Sequence, residues 1–111
     1  MRRNVIGVVT VLFLLFAAAD SAAGQSGAEL FGSRCASCHG ADGAGTANAN
    51  KTFNGMPDLR TAIRSKSDSQ LFDTIARGTE HKKYPHVFLQ TGMTQGQVSE
   101  IVVYLRKLPK K

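Results

Sequence analysis

Apolar residues crowd the start of the chain and afterwards recur at helical spacing. Arg2 and Arg3 precede a run from Val5 to Ala19 that carries no charge, and small residues continue to Gly24. This pattern predicts an export signal over residues 1–24 and a mature domain over residues 25–111. The run is about 15 residues, short of the roughly 20 needed to cross a bilayer, so no stable transmembrane segment is expected after cleavage. Left uncut, the segment would tether the chain to the membrane.

Beyond the signal, apolar positions fall at spacings of three and four. "SGAELFGSRCASCH", with Leu30 and Phe31 apolar and no strong breaker before His39, predicts a first helix. "ADGAGTANANKTFNG" is rich in glycine, alanine and asparagine without periodicity and predicts a loop. Ser67 with Gln70 three residues later forms a capping box, and Gly78 is a C-terminal stop. Between them Leu71, Phe72 and Ile75 share one face. Thr94 and Gln97 repeat the box ahead of Val98, Ile101, Val102, Leu105 and Leu108, a stripe that predicts a core-facing last helix. Internal repeats and β-alternation are absent, so an all-α domain follows.

Size then limits the picture. Removing 24 residues from 111 leaves 87, a small domain whose core needs a disulfide framework, a metal or a cofactor. Cys35 and Cys38 are the only cysteines and stand too close to staple anything large. Without Arg2, Arg3 and Asp20 the 14 basic and 8 acidic residues become 12 and 7, a surplus of five positive charges. Such a surplus favours acidic partners or an anionic membrane surface, and export excludes nucleic acid as the partner.

Residues 34–45 read "RCASCHGADGAG". Cys35, Cys38 and His39 form the C-x-x-C-H pattern of c-type haem attachment. Two cysteines one helical turn apart can add to the two vinyl groups of one porphyrin, and the adjoining histidine gives iron a nitrogen ligand. A thiol–disulfide pair would open a helix after a strand, and no β-branched run precedes Cys35. Zinc would want a second ligand pair, and no second cysteine pair exists.

On these residues the chain resembles the class I monohaem cytochromes c of the small bacterial type, from about Gly27 to Leu108. Gly27 and Phe31 match the glycine and aromatic residue at which that family's N- and C-terminal helices cross, and "CHGADGAG" matches its turn after the haem histidine. The resemblance implies a cytochrome c fold, three to five helices wrapped around one covalently bound haem c. Cys35 and Cys38 would form the thioethers and His39 the proximal ligand. "NGMPDLR" is similar to the family's proline loop, which implies that the Pro57 carbonyl accepts a hydrogen bond from His39 and orients it.

The sixth iron position stays open between several groups. Met56 adjoins the proline loop, on the wrong face. Met93 has suitable thioether chemistry, yet it precedes the N-cap Thr94 and stands where a hydrophobic staple against Val98 would use it. The family's methionine motif is missing: alignment on the proline puts Tyr84 in its place, and counting back from Met93 puts His86 there. Neutral imidazole binds iron in both oxidation states, whereas tyrosine binds mainly as phenolate and has a reference pKa of about 10. His86 therefore leads, Met93 is second, and an open or water-bound position follows. His81, beside Lys82 and Lys83, reads as a solvated surface residue.

The expected function is periplasmic one-electron transfer by haem c, with redox proteins, acidic or membrane-bound, as partners and no substrate chemistry. Lys82 and Lys83 would steer an acidic partner. The alternatives are a haem-based ligand-binding or peroxidase-type protein with an open or displaceable sixth position, and the cytochrome subunit of a respiratory complex or dehydrogenase.

Overall fold

The structure is a computed structural model that describes residues 25–81 and 86–110; residues 1–24, where an export signal is expected, and Lys82, Lys83, Tyr84 and Pro85 lie outside the described residues. Six helices and no strand occur among the described residues: α1 (Gly27–Arg34), α2 (Ala36–His39), α3 (Ala47–Phe53), α4 (Leu59–Ala62), α5 (Asp68–Arg77) and α6 (Gln95–Arg106). The all-α architecture expected from the sequence is what the chain adopts. The helix count exceeds the expected three to five because α2 and α4 are single turns of four residues each.

The expected first helix is divided at Cys35. That residue leaves helical dihedrals (φ −121°, ψ −35°), but its amide still donates to Phe31 O and its carbonyl accepts from His39 N, both at 2.9 Å. The chain therefore bends without losing its hydrogen bonds. The expected loop over 41–55 contains α3, which the periodicity missed because only Ala49 of its residues is buried. Local chemistry accounts for that helix: the Thr46 side chain accepts from Ala49 N at 3.1 Å, and Asn54 ends the segment in the left-handed region.

Both predicted capping boxes form, at Ser67/Gln70 on α5 and Thr94/Gln97 on α6, and Gly78 ends α5 at φ 78°. On α5 the buried residues are Leu71, Ile75 and Ala76, whereas Phe72 is half-buried under the Arg77 guanidinium, 5.7 Å from the ring centroid. On α6, Val98, Ile101, Val102 and Leu105 are all buried, and Leu108 is buried just past its end.

Helices α1 and α6 pack closely, with the Phe31 and Tyr104 rings 5.2 Å apart. Gly27 permits that approach. A Cβ there would lie 2.2 Å from the Glu100 carbonyl oxygen, so any larger residue would hold the helices apart. α5 packs on the other side of α6. Arg106 ties their ends together, donating to Asp68 Oδ1 at 2.8 Å and to the Ile63 carbonyl at 3.0 Å.

Candidate haem site

The bend at Cys35 and the turn after His39 build one wall of the site. Gly40 takes φ 81°, a conformation costly for other residues, and reverses the chain. The amides of Gly45 and Thr46 return to donate to the carbonyls of His39 (2.6 Å) and Cys38 (3.0 Å), while Asp42 Oδ1 accepts from Ala44 N within the turn. The segment "CHGADGAG" thereby satisfies the carbonyls left at the end of α2. Leu59 N donates to Gly43 O at 2.8 Å, which fastens the Met56–Pro57 loop to the same turn.

Two adjoining cavities open between this wall and the segment after α5. One has a volume of about 650 Å³ and the other about 290 Å³; Cys35, His39, Pro57, His81, His86 and Phe88 line both. The larger lies within the range of about 300–1,000 Å³ typical of cofactor sites. Cys38 and Met56 line the larger cavity; Leu59, Ile75 and Leu105 contribute apolar walls to the smaller.

Three imidazoles meet here. One nitrogen from each of His39, His81 and His86 lies within 4.8 Å of the others. The His39 and His86 ring centroids are 6.1 Å apart at 64°, those of His81 and His86 are 4.1 Å apart, and Phe88 stacks on His86 at 5.2 Å. Desolvation lowers the pKa of all three. For His39 the neighbouring His81 adds to the effect, and for His86, which falls to about 4, His81 and then His39 do so. Near neutral pH all three rings are therefore uncharged and keep a lone pair for a metal.

His86 lines the same cavities as His39, with the two ring centroids 6.1 Å apart. Met93 does not. It is buried at 6 % exposure in the hydrophobic core with Val98, and it lines neither cavity. Its place at the start of α6 puts the side chain among the core residues, as the staple reading expects. His81 is a correction in the other direction: instead of facing solvent it is half-buried on the cavity wall, with Nδ1 buried. The signal that could have found it was its spacing, five residues before His86 in one loop. Pro57 lines the cavity beside His39, but the expected bond is not made, because His39 Nδ1 is buried without a partner. The ring instead faces His86 edge-on. Tyr84 lies outside the described residues.

The donor set fits an iron porphyrin. Two cysteines and a buried neutral histidine line an apolar cavity of the right size, with two further imidazoles close by. Burial pushes the Cys35 thiol up to about 11 despite the opposing charge of Arg34. Thiol–disulfide exchange needs an easily formed thiolate, so Cys35 is disfavoured as its attacking thiol.

Helices folded around a C-x-x-C-H wall define a haem-attachment domain. The cytochrome c family model matches residues 24–109, and the chain belongs to that family. A comparison with curated proteins returned no match. Members of the family bind covalently attached haem c, for which Cys35, Cys38 and His39 provide the attachment motif.

Proposed function

We propose that this cytochrome c domain is a one-electron carrier of the bacterial periplasm, with His39 as proximal and His86 as distal ligand of one haem c. The observation that carries the reading is the C-x-x-C-H wall with a buried His39 lining a cavity that His86 also lines, the two ring centroids 6.1 Å apart. The haem supplies iron that alternates between Fe(II) and Fe(III), so one electron enters or leaves without bond making in the protein. Cys35 and Cys38 hold the porphyrin, and the two imidazoles bind in both oxidation states. Leu59, Ile75, Leu105 and Phe88 give the smaller cavity an apolar lining. Histidine in place of methionine lowers the reduction potential relative to methionine-ligated cytochromes c.

The periplasmic setting rests on the Arg2–Arg3 start and the uncharged run from Val5 to Ala19. Among the described residues no helix is long and apolar enough to cross a membrane. The positive surplus of the mature chain supports an acidic or membrane-bound redox partner. Lys82 and Lys83, which lie outside the described residues, would orient it through a field that salt weakens.

The test is a potentiometric titration of the haem-attached protein with spectra at each step. A reversible couple following one electron, low-spin in both states and without the methionine band near 695 nm (a property of that ligand pair, roughly), is the expected result. A high-spin ferrous form that binds carbon monoxide within mixing time would instead establish the ligand-binding alternative.

A further inference from the structure

We propose that His81 and His86 form a distal pair, either of which can bind the haem iron opposite His39. This rests on the haem c reading above and extends it, since that reading needs only His86.

Geometry carries the inference. Two imidazoles bound to one metal from opposite sides, with bonds of about 2 Å and nitrogens about 1.1 Å from the ring centres, place their centroids about 6 Å apart. His39 and His86 are separated by 6.1 Å. His81 stands beside His86 at 4.1 Å between ring centroids and offers a nitrogen within 4.8 Å of the ligand atoms of both other histidines. A metal seated between His39 and His86 would therefore have a third imidazole nitrogen nearby.

The backbone around His81 turns it inward at a cost. Glu80 adopts φ 64°, in the left-handed region that non-glycine residues rarely enter. The Lys66 ammonium binds Glu80 Oε2 at 2.9 Å, and His81 N donates to Gly78 O at 3.1 Å, which holds the turn in place. A surface histidine would need none of this. The outcome is a half-buried ring whose Nδ1 lies inside the protein and is bonded to nothing. Exchange between the two ligands breaks one iron–nitrogen bond and forms another, with no change in the count of protons or electrons. Its consequence is a guarded sixth position: an outside ligand that displaces one imidazole still competes with a second.

The experiment compares ferric absorption and electron paramagnetic resonance spectra, and ferrous carbon monoxide binding, for the haem-attached wild type, H81A, H86A and H81A/H86A. Wild type and both single variants are expected to remain low-spin with two nitrogen axial ligands. The double variant is expected to become high-spin, to bind carbon monoxide at least tenfold faster than either single variant, and to regain the low-spin spectrum with added imidazole. If H86A alone is as high-spin as the double variant, His81 does not reach iron and the pair is refuted, while the electron-carrier reading stands with His86 as the only distal ligand. If the double variant stays low-spin, the sixth ligand lies elsewhere and the pair is also refuted. Failure of the carrier reading shows separately, as loss of the reversible one-electron couple in the wild type. Should the alanine variants not mature, H81Q and H86Q carry the same comparison.

Discussion

The crossing of α1 and α6 gives a substitution whose magnitude follows from distance. Replacing Gly27 by alanine places a Cβ 2.2 Å from the Glu100 carbonyl oxygen and 2.9 Å from Tyr104 Cβ. Ordinary contact begins at 3.4 Å, so the helices must separate by about 1.2 Å. A gap of that order forfeits up to about half of each dispersion contact along the seam that includes Phe31 and Ile101. Overpacking typically costs about 1–3 kcal/mol. Alanine returns less than about 1 kcal/mol of helix propensity at this first helical position. The net expectation is a loss of about 2 kcal/mol, or roughly 8–16 °C in Tm for a domain of this size. Gly32 is the control on the same helix, since a Cβ there meets nothing within 4 Å. Gly32→Ala should gain up to about 1 kcal/mol. Urea unfolding of the haem-attached proteins, followed by far-ultraviolet circular dichroism, measures both. A Gly27→Ala protein as stable as wild type, or one changed no differently from Gly32→Ala, would refute the close-approach argument.

Three other outcomes are expected. Met93→Ala should destabilise the protein by about 2–5 kcal/mol through loss of core packing and leave the haem spectrum unchanged, whereas a change of axial ligand in that variant would restore Met93 as a ligand. Burial, with His81 and His39 nearby, holds His86 at about 4, below its ordinary 6.5. Its neutrality therefore contributes stability that is complete above about pH 6.5 and declines as pH falls toward 4, because the unfolded chain takes up the proton first. A metal on the ring nitrogen would oppose protonation further, so acid titration of the haem-attached protein should keep the low-spin spectrum at pH 6, and a loss of the distal ligand with a midpoint at 6 or above would contradict this. Finally, the haem-free chain made by Cys35→Ala/Cys38→Ala should be largely unfolded; a well-dispersed amide spectrum would disprove that.

Sequence periodicity carried most of the scaffold, for a physical reason that differs by element. α5 and α6 bury one face each and carry side-chain caps, so their stripes and boundaries are written in neighbouring residues. The proximal wall is equally local, since Cys35, Cys38, His39 and the turn that satisfies their carbonyls lie within a dozen residues. α3 was hidden because it buries only Ala49 and has no stripe to read. His81 was misread because the lysines that follow it suggest solvent, whereas its position is set by Glu80 in the left-handed region and by Lys66 from another part of the chain.

That contrast bears on the distal ligand. The segment from Gly78 to Met93 is fixed at both ends by contacts distant in sequence or peculiar in conformation: Lys66 with Glu80 at one end, and Leu89 N to Ala76 O at the other. Met93 N donates to Phe88 O at 3.0 Å, which brings Phe88 against His86 while the methionine side chain turns into the core. Once the sulfur serves as the staple of α6, the segment has no second methionine to offer the cavity. Among its described residues, the nitrogen donors it presents to the cavities are the imidazoles of His81 and His86. The absence of the family's methionine motif and the gathering of His81 and His86 fit one arrangement, in which the residue that anchors α6 packs in the core and lines neither cavity.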